Sequence, residues 1–484
     1  LGEVVDFSPR FGKDELADDS FASFIPMKCV EEESGRFESL GDRKVGELRK
    51  GYTPFRDGDV IFAKVTPCME NGKAAVLKGL TNGVGFGSTE FFALRPKNGL
   101  EAKYLFHFIL QSNFRRDAAR NMTGAVGLRR VPKSWLEQQT IPLPEPDEQR
   151  RIVAEIEKQF TRLEAGVAAL RRVQANLKRY RAAVLKAACE GHLVPTEAEL
   201  VGRLPSAGIG RVPPRGVRAK TKGNAASGDA AYNDAPFETG AELLARILTE
   251  RRQDWQGRGK YKEPAAPNTT NLPTLPETWT WVSWEMVLAH EDGAFKRGPF
   301  GSALTKAIFV EKGFKVYEQY CPINDDCSFA RYYVTPEKFE ELQAFEVKGG
   351  DYLISCSGVT LGRITRVPEQ FERGIINQAL LRVRINESVI DHRYFLHLFR
   401  SALFQKAIFD NSTGSAIPNV KGVKELKAMA IPLPPLAEQT RIVAEVERRL
   451  SVVEEFESVV TANLQRATRL RQSILQKAFT GELA

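Results

Sequence analysis

The chain repeats itself, and the repeat constrains its fold more than any other feature. Residues 141–157 read IPLPEPDEQRRIVAEIE and residues 431–447 read IPLPPLAEQTRIVAEVE, an offset of 290. The same offset relates Tyr104 to Tyr394, His107 to His397, Thr123-Gly124 to Thr413-Gly414 and Gly191 to Gly481. Upstream, GDVIFAKV from Gly58 matches GDYLISCS from Gly350 at an offset of 292, so a loop between differs by two residues. The chain is therefore two copies of one unit: a mixed domain, a Pro-rich strap and a long helix.

After each strap the apolar spacing changes to steps of three and four, the signature of a coiled-coil seam. The first seam runs Ile152, Ile156, Phe160, Leu163, Val167, Leu170, Val173, Leu177, Tyr180, Val184. The second runs Ile442, Val446, Leu450, Val453, Phe456, Val460, Leu464, Leu470, Ile474. Pro142, Pro144 and Pro146 bar the strap from a helix interior, Asp147 suits an N-cap, and Gly191 and Pro195 mark the end. A helix of some 40 residues is about 60 Å long. Neither helix buries its seam alone, so antiparallel pairing is expected, with the globular units at opposite ends about a pseudo-twofold axis. A coiled coil that only dimerises is the plainer alternative; the two globular units, in a chain of net charge +8, count against it.

The expected fold is thus α+β: two mixed α/β domains joined by two long antiparallel coiled-coil helices. The expected partition is a first domain over 1–145, a first long helix over 146–196, a linker over 197–275, a second domain over 276–435 and a second long helix over 436–484. Within the linker, residues 203–238 are rich in Gly, Pro and Ala, whereas 239–256 (TGAELLARILTERRQDWQ) reads as a helix with Leu243, Leu244, Ile247, Leu248 and Trp255 near one face.

A basic balance favours anionic partners. No stretch approaches the roughly 18 apolar residues of a membrane span. Residues 1–5 do not read as a signal peptide, and the six cysteines form no CxxC pair, so reduced thiols in a cytoplasmic protein are expected. Enzyme signatures are missing. There is no GxxxxGK[ST] and no N/D-P-P-Y/F; Glu337, Glu346 and Lys348 mimic a nuclease spacing only loosely, and NGVGFGS (82–88) reads as a hairpin turn. His107 and His397 sit among apolar residues and read as satisfied core histidines. Neither a catalytic residue nor a cofactor or metal is expected.

Reading DNA requires polar groups on loops and cations for phosphate. In the first copy the candidates are Lys64, Lys73, Thr123, Arg129 and Arg130. In the second they are Lys296, Arg297 and Ser302 in the turn KRGPFGS, and Ser412, Thr413, Ser415, Asn419 and Lys421 in a second polar loop. Solvated turns are the plainer alternative for any one of them.

IPLP-x-P/L-x-EQ-x-RIVAE followed by a long helix that ends in LKAACEGHL (185–193) or LQKAFTGEL (475–483) resembles the specificity subunits of type I restriction-modification enzymes. RGPFGSAL (297–304), KYKEP (260–264) and LPETWTWVSW (275–284) are similar to other parts of that family. The resemblance implies that each domain reads one half of a bipartite double-stranded DNA site and that the helices fix the gap. It implies two methyltransferase subunits docked on the chain, and restriction-translocase subunits bound through them, with all chemistry in those partners. It assigns Glu148-Gln149 and Glu438-Gln439 to tying strap and helix start to the globular unit or a partner. Two features depart from it: the first copy lacks the Trp-containing lead-in, and a first GPFGS-like turn is not visible.

Overall fold

The computed structural model describes residues 1–12, 15–125, 127–203, 237–255, 260–358, 360–409 and 420–483. The chain divides into two compact units, one of residues 1–174 with 457–484 and one of residues 175–456. Each long helix begins in one unit and ends in the other.

The first unit holds two four-stranded sheets. Strands are β1 (Val5–Phe7), β2 (Phe21–Ile25), β3 (Asp42–Lys44), β4 (Thr53–Arg56), β5 (Val60–Ala63), β6 (Ala74–Val76), β7 (Val84–Gly87) and β8 (Phe91–Pro96). One sheet has the order β1-β8-β5-β6 and is wholly antiparallel; the other has the order β3-β2-β7-β4, with β2 parallel to β7. Every residue of β5 is buried, as expected of a short apolar strand covered on both faces. The Gly-rich run is the interior strand β7, not a hairpin turn. Its glycines are there for packing: a Cβ at Gly85 would strike the Phe55 ring, and one at Gly87 the Ile25 carbonyl.

The second unit repeats this arrangement. Its strands are β9 (Thr280–Ser283), β10 (Phe295–Arg297), β11 (Phe314–Tyr317), β12 (Tyr333–Val334), β13 (Glu346–Val347), β14 (Tyr352–Ser355), β15 (Ile364–Arg366), β16 (Gly374–Ile376), β17 (Leu380–Val383) and β18 (Ala430–Leu433). The sheets run β10-β17-β14-β15 and β12-β11-β16-β13, again with one parallel pair, β11 and β16. A ribbon of β9 and β18 is added. The middle helix, Gly240–Gln253, opens with a capping box between Thr239 and Glu242. It packs inside this unit, with Leu243 and Ile247 fully buried, while Trp255 lies on the surface at 45% exposure.

The repeat extends to buried polar groups. Asp59 accepts two hydrogen bonds from Arg95, at 2.7 and 2.9 Å, and Asp351 accepts two from Arg384, at 2.6 and 3.1 Å. Gln149 donates to the carbonyls of Gly99 and Pro144 and accepts from the Glu101 amide; Gln439 donates to Val389 and Pro434 and accepts from Asp391. The glutamine of each EQ pair therefore ties strap and helix start to the globular unit. Burial lifts the Glu438 carboxyl above the usual range, against the Trp279 indole and Glu197 amide that donate to it.

The long helices are Pro146–Glu190 and Leu436–Phe479. The first starts one residue before the expected cap. Pro146 occupies the first turn, where its missing N–H costs nothing, and Glu145 accepts from the amides of Glu148 and Gln149. Within each unit the helices run antiparallel. In the first, Val153, Ile156 and Phe160 share a core with Ile474, Leu475 and Ala478; in the second, Val184, Leu185 and Ala188 share one with Ile442, Val446 and Leu450. Repeat-equivalent ion pairs accompany both contacts, Glu164–Arg471 at 3.3 Å and Arg181–Glu454 at 3.6 Å. Val173, Tyr180, Phe456 and Leu470, placed on the seam from spacing, are instead 41–54% exposed. A straight helix drifts against a 3.5-residue repeat, so a seam over six heptads does not stay on one line.

His107 corrects another expectation. It is buried, but neither ring nitrogen has a hydrogen-bond partner among the described residues. Burial, aided by the positive charges of Arg471 and Lys103, lowers its pKa to about 3. The folded state thus favours neutral imidazole. That stability is complete above pH 6.5 and is lost as pH falls from there towards 3, to a total of roughly 4–5 kcal/mol. Urea titrations of wild type and His107→Phe between pH 7 and 4 should show the wild type losing stability faster; parallel curves would refute the assignment.

Candidate nucleic-acid interface

In the first unit the fold brings the backbones of all five candidates to one strand end. Lys64 follows β5; its amide donates to the Glu90 carbonyl and its carbonyl accepts from the Val131 amide, both at 2.9 Å. Residues 122–125 and 127–131 thereby fold back on the sheet, with Thr123 bridged to Arg130 and the Arg129 carbonyl accepting from the Thr66 amide. Gly124 makes this turn possible: its φ is +121°, and a Cβ would sit 2.9 Å from the Leu128 carbonyl oxygen. Arg130 grips Glu90 through two bonds of 2.9 and 2.7 Å. Those bonds, with Lys64 nearby, hold the Glu90 carboxyl below its usual range despite some burial. Thr123 and Arg129 are exposed on the same loop. Lys73 pairs with the last residue of β5, its carbonyl accepting from the Ala63 amide at 2.9 Å, but its ammonium turns to the Met27 carbonyl at 3.3 Å.

The second unit builds the same edge from different side chains. Cys356 replaces Lys64, donating to the Ala379 carbonyl and accepting from the Val420 amide. Burial pushes its thiol up to about 12, against the pull of Arg297. Lys421 follows Val420 and is half-buried. Lys296 and Arg297 do not act as one patch, because successive strand residues face opposite sides. Lys296 points at the Phe345 ring, 5.1 Å from its centroid, whereas Arg297 lies 5.7 Å from the Phe300 ring centroid. Gly298 is needed where it stands, since a Cβ would overlap the Asn377 carbonyl. Ser412, Thr413, Ser415 and Asn419 lie outside the described residues, as does the side chain of Ser302.

Three groups at this edge escaped sequence reasoning. Gln319 donates to the Ser357 and Ala379 carbonyls, and Gln378 to the Leu304 carbonyl, while Asn377 caps the turn before β17. Polar residues next to a buried strand were the available signal. The first unit also has a counterpart to the GPFGS turn. Ser8 donates to Ala93 beyond β1, and Pro9-Arg10-Phe11-Gly12 takes the place of Arg297, the last residue of β10, and of Gly298 to Gly301 after it. It is one residue shorter, which hid it. Phe11 is tucked against Phe86, whereas Phe300 is 73% exposed.

Glu337 stands in the first turn of a short helix, Glu346 pairs with Arg373, and Lys348 with Glu291. Among the described residues there is no group of three or more His, Cys, Asp or Glu side chains able to hold a metal, and no helix long and apolar enough to cross a membrane.

The type I restriction modification DNA specificity domain model matches residues 1–169 and again 301–451. The type I restriction enzyme EcoEI specificity subunit of Escherichia coli is 25% identical over 99% of this chain and 82% of its own. The EcoAI specificity subunit of Escherichia coli is 24% identical over 99% and 81%. A solved structure concerned with complex assembly and conformational transition of the type I R-M system covers 96% of this chain and 93% of its own, with a TM-score of 0.62 at 19% identity. With two matches that take in most of its length, and the same two-sheet unit built twice, the chain belongs to the type I restriction modification DNA specificity family.

Proposed function

We propose that this chain is the DNA sequence-specificity subunit of a type I restriction-modification complex. Each two-sheet unit reads one half of an interrupted double-stranded site, and the paired helices set the interval and dock two methyltransferase subunits. Restriction-translocase subunits join through those, and the partners carry out the chemistry. The partition at residues 145, 196, 275 and 435 is the functional division that goes with this reading. One observation carries it: in both units the chain returns to the same strand end, the Val131 amide onto the Lys64 carbonyl and the Val420 amide onto the Cys356 carbonyl, but that edge is furnished with different side chains. A shared scaffold with different surface groups suits two half-sites of different sequence.

Of the candidates, Arg129, Arg130, Arg297 and Lys421 are the cations best placed by this edge for phosphate or base contact. The double variant Lys296→Ala/Arg297→Ala should lower affinity for target DNA about tenfold at physiological salt and make the salt dependence shallower. Equal affinity and an equal salt slope in a fluorescence-anisotropy titration would remove this strand from the interface.

A further inference from the structure

The matched sheets bring one further position to the candidate edge and fill it differently in the two copies. The sheets β3-β2-β7-β4 and β12-β11-β16-β13 correspond strand for strand, with β3 and β12 outermost and β2–β7 and β11–β16 as the parallel pairs. Ser23 stands opposite Asp42 and Gly85, and Lys315 opposite Tyr333 and Gly374. Both glycines are needed for size, since a Cβ at Gly85 would crowd the Ser23 carbonyl and one at Gly374 the Lys315 carbonyl. The ladders continue past the outer strands: the Phe24 amide donates to the Gly41 carbonyl at 3.2 Å, and the Val316 amide to the Tyr332 carbonyl at 2.9 Å. Two residues before β3 and β12 begin, Leu40 and Arg331 therefore hold the same place. The sequence offset from Phe24 to Val316, 316 − 24 = 292, would have matched Leu40 with Tyr332 instead.

This end of each sheet belongs to the candidate edge. Tyr317, the last residue of β11, accepts from the Asn377 amide at 3.0 Å, and Gln319 follows two residues on. In the first unit β7 runs out towards Glu90, whose carbonyl accepts from the Lys64 amide. Leu40 and Arg331 are both exposed, Leu40 at 50%. Arg331 is held in place, its guanidinium carbon 5.7 Å from the ring centroids of Phe329 and of Tyr332. Those rings are fixed in turn, Phe329 stacked on Tyr320 at 3.9 Å and Tyr332 on Phe309 at 4.3 Å. A planar fork of donors steadied by two rings loses little freedom when it meets a pair of acceptors. A leucine in the same place offers apolar contact and no hydrogen bond.

We propose that this position reads a base in each half-site: Arg331 takes a guanine through its O6 and N7 in the major groove, and Leu40 takes the methyl group of a thymine. The inference rests on the reading of the chain as a DNA-specificity subunit and adds two residues, each with its base, to that reading. The shared backbone register sets where the side chain meets the duplex, and the residue type sets which base it accepts.

The test is a selection of bound duplexes from a random-sequence library by the whole chain together with a type I methyltransferase subunit. The wild type should select an interrupted motif with a guanine in one half and a thymine in the other. Arg331→Ala should lower the preference for guanine about tenfold at one position of one half and leave the other half intact. Leu40→Arg should replace a thymine by guanine in the other half. Both side chains are exposed, so the thermal midpoints should stay where they are. A motif unchanged in both variants, or changes that fall in the same half, would overturn the proposal. So would a loss of affinity for every sequence that Arg331→Lys restores, which is the behaviour of a phosphate contact. If the wild type selects no interrupted motif, the underlying reading falls, and this proposal with it.

Discussion

Removing one heptad from each long helix, residues 166–172 together with 456–462, is expected to abolish modification of the original target and create a new one. Each deletion keeps the seam in phase, since the apolar repeat is seven residues. Taking both keeps the two repeat-equivalent ion pairs, Glu164–Arg471 and Arg181–Glu454, in register. Each helix shortens by about 10 Å, close to three base-pair steps of 3.4 Å. The half-sites should keep their sequences while the interval between them contracts by about three base pairs. Methylation of the parent site should fall at least a hundredfold, as both domains can no longer engage it. Deleting only one heptad breaks the helix pairing and should leave no well-methylated site. Sequencing that maps modified adenines reads all three outcomes, and an unchanged interval in the double deletion would refute the role given to the helices.

The second large effect separates the two copies. Asp351→Ala should cost about 3–5 kcal/mol, because removing one member of a buried ion pair strands its partners. Asp351 is 1% exposed; Arg384 binds it through two nitrogens, and Arg382 lies 3.9 Å away with 2% exposure of its side chain. Burial first, and then repulsion from Arg384, already lowers the Arg382 guanidinium to about 10. Losing the carboxylate leaves two cations in that space. The equivalent Asp59→Ala exposes one arginine whose side chain is already 31% exposed, so water can take up its charge. The cost there should be smaller, about 1–3 kcal/mol. Denaturant unfolding of both variants measures the difference; equal losses would show that water reaches both pairs alike.

Much of this architecture was legible because the sequence states it twice. A repeat at fixed offset does not depend on local propensity, so the matched domains, straps and helices could be read without structure. The seam was partly misread. Phe456 and Leu470 have the right spacing, yet fall outside the contact once the helices drift apart in phase. Gly85 and Gly87 look like a turn because glycine is usually read as conformational freedom. Here they are chosen for size, under Phe55 and the Ile25 carbonyl. The candidate edge was the least legible. Arg129 and Arg130 are adjacent in sequence, yet one is exposed on the loop and the other locks onto Glu90. Lys296 and Arg297 are likewise neighbours that a strand sends to opposite faces. No property of residue type distinguishes such neighbours; only the tertiary partner does. Gln319 and Asn377 were missed for the same reason, since their importance lies in contacts distant in sequence.

The most direct test of the central claim is a methylation map of DNA from cells that make this chain with an adenine methyltransferase subunit of a type I system, compared with cells that make either one alone. The account predicts modification at one interrupted motif, with two defined halves and a fixed gap, only when both proteins are present. A modification pattern that the methyltransferase subunit produces equally well without this chain would contradict it.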